Sequence, residues 1–203
     1  MPQQVASTTD AGDGIVAIDT LYLRPSSDAS HLVMSGGRAA FVDTGTNSSV
    51  PLLLDALAQQ DLDPGDVDYV FLTHVHLDHA GGAGALMQSL PNARCVIHPR
   101  GAPHMADPTK LIAGTQGVYG KQKAFELYGE IVPIPVERII EAGDEAVSEV
   151  IPRIRELMRR ERLLSIFRPA PGRKLAGSVR GVDGGNGTGS GGGVTDDACA
   201  QCA

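Results

Sequence analysis

Between Val67 and His79 the chain passes directly from an apolar, β-branched and aromatic run, VDYVFLT, into His74-Val75-His76-Leu77-Asp78-His79. The run is that of a strand buried within a sheet. The residues after it are four potential metal ligands within six positions, and such polar groups cannot remain buried unless an ion or partners satisfy them. A buried strand that opens onto a ligand cluster at its carboxyl end constrains the fold to a layered α/β arrangement, because active sites of such folds gather beyond the carboxyl ends of strands. Imidazole nitrogen and carboxylate oxygen suit zinc and related divalent ions. In an extended segment, side chains alternate, so His74 and His76 point the same way and can grip one ion. Asp78 and His79 then require a turn, which Gly81 and Gly82 permit.

The flanking pattern fits that architecture. Gly14 to Leu23 and His31 to Ser35 read as short strands, and Ser35-Gly36-Gly37-Arg38 reads as the turn into a third, Ala39 to Val42. Ser49 opens VPLLLDALAQQ, in which Leu53, Leu54, Ala56 and Leu57 form a helical apolar face. A helix over Gly84 to Leu90 and a strand over Arg94 to Ile97 follow the ligand cluster. The histidines of HPRGAPH, His98 and His104, come after that strand and are candidate pocket groups; surface or hydrogen-bonding roles are the commoner fate of single histidines.

The chain changes character near residue 150. Residues 1–150 carry 8 Lys and Arg against 19 Asp and Glu, whereas 151–203 carry 9 against 5. An acidic body argues against a nucleic-acid groove as the main surface. Residues 145–168 read as a basic amphipathic helix. Residues 169–203 read as a Gly-rich disordered tail, since 10 of the 25 glycines fall between Pro171 and Ala203. Residues 1–13 are expected to form a flexible N-terminus, leaving 14–144 as the folded body. No apolar stretch has membrane-span length and Met1 to Gly14 has no signal-peptide pattern, so a soluble, cytoplasmic protein is expected. Cys95, Cys199 and Cys202 make no disulfide framework. Cys199 and Cys202 form a lone CxxC, which is expected to be fortuitous.

THVHLDHAGG resembles the HxHxDH signature of the metallo-β-lactamase fold superfamily, and FVDTGT (Phe41 to Thr46) is similar to its upstream strand-end Asp motif. The likeness runs over roughly Gly14 to Asp144. It implies a layered αββα sandwich, incomplete in its C-terminal half, with His74 and His76 on a first metal, Asp78 and His79 on a second, and Asp43 orienting the ligands. It also assigns Asp78 a catalytic part. The implied cofactor is one or two Zn2+ ions, with another divalent metal as the alternative. The implied activity is hydrolysis of ester, thioester, lactone or related small-molecule substrates through a metal-bound hydroxide. Diiron oxidoreductases and nucleases share the fold, but HVHLD lacks the acidic residue typical of diiron relatives. The family's later His, bridging Asp and final His have no counterpart, for no His follows His104. The chain therefore reads as a truncated or frame-shifted relative or a domain completed from outside, and a catalytically impaired metal-binding or interaction fragment is the alternative function.

Overall fold

The computed structural model describes residues 5–143. The expected helix over 145–168, the Gly-rich tail over 169–203 and the Cys199–Cys202 pair lie outside them. Among the described residues seven strands form one mixed sheet in chain order: β1 (Thr8–Gly12), β2 (Ile15–Asp19), β3 (Ala29–Ser35), β4 (Arg38–Val42), β5 (Val67–Phe71), β6 (Arg94–Ile97) and β7 (Ile139–Glu141). The first four pair antiparallel, and β4 to β7 pair parallel.

The antiparallel half follows from local turn chemistry. Ser35 pairs with Arg38 across a two-residue loop in which Gly36 and Gly37 both have positive φ, 58° and 75°. That geometry matches the twist of the flanking strands and favours glycine. Residues 8–12, expected in a flexible end, form edge strand β1, because the backbone of Thr8 to Gly12 finds partners along β2. Two anchors, one from helix α1 (Val50–Ala58) and one from the residue that caps its C-terminus, also hold this end: Ala6 N donates to Asp55 Oδ2 at 2.8 Å, and Gln59 Nε2 donates to Ala6 O at 3.2 Å.

The parallel half needs crossovers, which the helices supply. Helix α1 links β4 to β5, and α2 (Leu77–Ala80) with α3 (Ala83–Ser89) links β5 to β6. Helices α4 (Ala102–Ala106), α5 (Thr109–Tyr119) and α6 (Lys121–Tyr128) lie between β6 and β7. In α1 the buried positions are Val50, Leu52, Leu53, Ala56 and Leu57, so Leu52 takes the core place expected of Leu54.

Sheet register sorts the strands into two faces. Val16, Leu32, Phe41, Val70, Cys95 and Ile139 align across consecutive strands and pack with the helices in the main core. The adjacent row, Ile15, Val33, Ala40 and Tyr69, lies on the opposite face. There a small cluster of Ile15, Val33, Tyr69 and Phe71 forms, with only Ile15 of these buried. The described residues thus provide one sheet of a layered sandwich, helix-covered on one side. Among them no helix is long and apolar enough to cross a membrane.

Candidate metal centre

The carboxyl ends of β4, β5 and β6 lie on one edge of the sheet and deliver Asp43, His74 and His98 there. Asp43 leaves β4 with φ 56°, a left-handed conformation that Asp tolerates better than most residues. Its amide still extends the parallel ladder, donating to Phe71 O at 2.8 Å. Its side chain is nearly buried and accepts from Thr73 twice, at Oδ1 from the backbone N–H (2.9 Å) and at Oδ2 from Oγ1 (2.7 Å). His79 Nδ1 lies 3.2 Å from the same Oδ2.

These contacts fix the imidazole tautomers by proton counting. A carboxylate only accepts, so Thr73 Oγ1 spends its single proton on Asp43. Thr73 Oγ1 must then accept from His74 Nδ1, 2.9 Å away, so that nitrogen carries hydrogen. The same logic places the His79 proton on Nδ1, facing Asp43. Both rings are left with Nε2 lone pairs, the arrangement in which a histidine serves as a metal ligand. Asp28, in the loop before β3, adds a second carboxylate 3.9 Å from His79 Nδ1.

The rings converge. The His74 centroid is 4.3 Å from that of His79 and 4.7 Å from that of His76. Ligand atoms of Asp43, His74 and His79 all lie within 4.8 Å of one another. Burial foremost, and then the charges of His79 and His76, push the His74 pKa below the ordinary imidazole range, with Asp43 and Asp78 pulling partly back. Protonation of His74 is thus disfavoured and the ring presents a lone pair, and the grouped side chains of Asp43, His74 and His79 fit a metal ion. Asp78, in the first turn of α2, is outside the three-residue group, and its charge is felt by His74 and Tyr22.

The loop is shaped by close backbone approach. Thr44 donates through N (2.7 Å) and Oγ1 (3.0 Å) to His79 O, and Gly82 N donates to Gly45 O at 2.9 Å. A Cβ on Gly82 would stand 2.6 Å from Thr46 O. Neither Gly81 (φ −63°) nor Gly82 (φ −82°) is left-handed, so proximity, not the turn conformation expected from sequence, requires glycine at 82.

His98 closes β6, where its Nδ1 accepts from Arg100 N at 3.1 Å. The same loop touches the histidine segment, since a Cβ on Gly101 would lie 3.0 Å from Val75 Cγ1. His104 sits half-buried on α4. Sequence reasoning missed Thr73, Asp28 and Tyr22. Thr73 and Asp28 carry no motif of their own, and Tyr22 reaches the region only through the loop between β2 and β3.

The family model described as Metallo-beta-lactamase superfamily matches residues 24–157. No curated protein matches the chain. Among solved structures, one similar to it is MEM-A1, a subclass B3 metallo-beta-lactamase isolated from a soil metagenome library. The two are 20% identical with a TM-score of 0.51, over 70% of this chain and 48% of that one. Another is the metallo-beta-lactamase MIM-1 from Novosphingobium pentaromativorans, 21% identical with a TM-score of 0.50, over 70% of this chain and 47% of that one. These likenesses are of fold, and the chain spans about half the length of the solved structures it matches.

Proposed function

This chain belongs to the metallo-beta-lactamase superfamily, a family of metal-dependent hydrolases, and on that premise we propose that it is a zinc-dependent hydrolase of ester, thioester, lactone or related small-molecule substrates. The observation that carries this reading is the convergence of His74, His76 and His79 above Asp43, with two imidazole tautomers fixed so that Nε2 is the free donor. His74, His76 and His79 would hold the ion or ions together with Asp78. The chemistry a divalent ion supplies when bound is Lewis acidity, which makes a water more acidic at neutral pH and polarises a carbonyl oxygen.

The chain's own residues do the positioning. Asp43 holds the proton of His79 at Nδ1 and, through Thr73, that of His74. Thr44 fixes the backbone of α2 from below. His98, on the loop beside Val75, is proposed to meet the substrate's polar end, and His104 to face the same pocket from α4. Asp78, an acid in the first turn of α2, is proposed to orient the attacking water. We place the protein in the cytoplasm, acting on small molecules and not on nucleic acid.

The test is elemental analysis of the purified chain, then turnover of lactone and thioester substrates at saturating zinc. Bound metal is expected in the native protein and none in the His76→Ala/His79→Ala variant; equal metal in both would overturn the assignment. A second reading is a metal-binding form with impaired catalysis. It is favoured by the ligand group of Asp43, His74 and His79, which leaves His76 and Asp78 outside it. Metal retention without turnover would select it.

A further inference from the structure

Leu77, the residue between His76 and Asp78, forms part of the wall of a cavity of about 260 Å3. The remaining apolar wall comes from α5, α6 and the segment after them, through Ile112, Ala124, Phe125 and Ile131. None of these contributes to the proposed metal centre. Phe125 is 63% exposed, an aromatic ring held at the surface beside the cavity. Tyr128 also lines it and is itself buried, with its hydroxyl 3.0 Å from that of Tyr22 and the two rings stacked at 6.0 Å. Tyr22 in turn feels the charge of Asp78. Leu77, flanked in the chain by His76 and Asp78, links this wall of the cavity to the metal side of the molecule.

The chemistry of the wall selects its occupant. Glu130 is the one charged residue among the described residues lining the cavity, so a carboxylate or phosphate is disfavoured there. At roughly 30 Å3 per water-sized group, the space suits on the order of eight methylene-sized groups. Resting on the hydrolase reading, we propose that this cavity receives the neutral aliphatic acyl chain of the substrate, whose carbonyl then lies at the His74–His79 cluster. Specificity for chain length would thus reside in α5 and α6, and the chemistry in the loop after β5.

The experiment is calorimetric titration of the full chain with the neutral series 1-butanol to 1-decanol, which needs no turnover. Affinity is expected to rise about threefold to fourfold per methylene and to level off near eight carbons. Ala124→Leu, which fills the cavity, should bring the plateau two to four carbons earlier. Phe125→Ala changes an exposed side chain, leaves the fold intact and should weaken the longer alcohols. If Ala124→Leu does not fold, Phe125→Ala alone carries the test. Affinity independent of chain length, or a folded variant with the native series, would overturn the proposal. The same series on His76→Ala/His79→Ala should be unchanged even if the metal assignment fails. A dependence that vanished with the histidines would place the alcohols at the ring cluster and overturn the pocket.

Discussion

Asp43 shows how one side chain can organise a centre it need not ligate. Three donors, Thr73 N, Thr73 Oγ1 and His79 Nδ1, converge on its two oxygens. Asn tolerates the same left-handed backbone but has one acceptor oxygen, so Asp43→Asn should leave the fold and strand at least one donor. Metal affinity is expected to fall ~10 to 100-fold, read by competition with a chromophoric chelator; native affinity in the folded variant would remove Asp43 from this role. Cys95 is the contrasting case, a nucleophile made inert by its surroundings. Burial in the sheet pushes its thiol from 9.0 up to about 12. The unfolded chain therefore loses this proton first, so the stabilisation is fully present below pH 9 and is lost as pH rises towards about 12. Peptide-resolved mass spectrometry should find Cys95 unalkylated by iodoacetamide at pH 8 under native conditions and modified in denaturant. Rapid native alkylation would contradict the burial. The candidates His74, His76, Asp78, His79 and Asp43 come from motif spacing, whereas Thr73 acts through a hydroxyl whose partners only the fold assembles.

At the scale of elements, strands and helices with strong periodicity or turn chemistry were legible and the helices after β6 were not. Helix α5 holds Gly114 and Gly117 in its interior, which weighs against helix by roughly 1 kcal/mol each. It persists because Leu111 and Thr115 are buried on one side. Its glycines and Gly84 of α3 should respond oppositely to alanine. A Cβ on Gly114 meets nothing within 4 Å, so Gly114→Ala should stabilise by about 0.4 to 1 kcal/mol. A Cβ on Gly84 would lie 1.9 Å from Val132 O, and Gly84→Ala should destabilise by about 1 to 3 kcal/mol or more. Denaturant midpoints moving in the same direction for both variants would contradict this account. The partner that meets the C-terminal end of α3 was likewise invisible in sequence. Its carbonyls and those just beyond are met by Arg138, which donates to Met87 O at 2.8 Å and Ala93 O at 3.1 Å from 45 or more residues away.

For the whole molecule, the register of one sheet decides which apolar residues matter. Leu32 lies in the fully covered row between Val16 and Phe41, and Val33, its neighbour, lies in the thinly covered one. Leu32→Ala should cost about 2 to 5 kcal/mol. Val33→Ala removes less volume from a half-exposed site and should cost under about 1.5 kcal/mol, as measured by chemical denaturation. Equal losses would mean the second face is as well packed as the first. The sequence by itself determined the strand that ends in HVHLDH, the Gly36-Gly37 hairpin, the acidic body and the clustering of candidate ligands at that strand's end, because each rests on residues near one another in the chain. Tertiary structure alone decided that Asp43, Thr73 and His79 share protons, that β1 joins the sheet, and that Leu77 and Tyr128 wall one cavity. Those features bring together residues 30 or more positions apart, or edge backbone groups whose partner strand is set by packing. No local pattern encodes the distance between them.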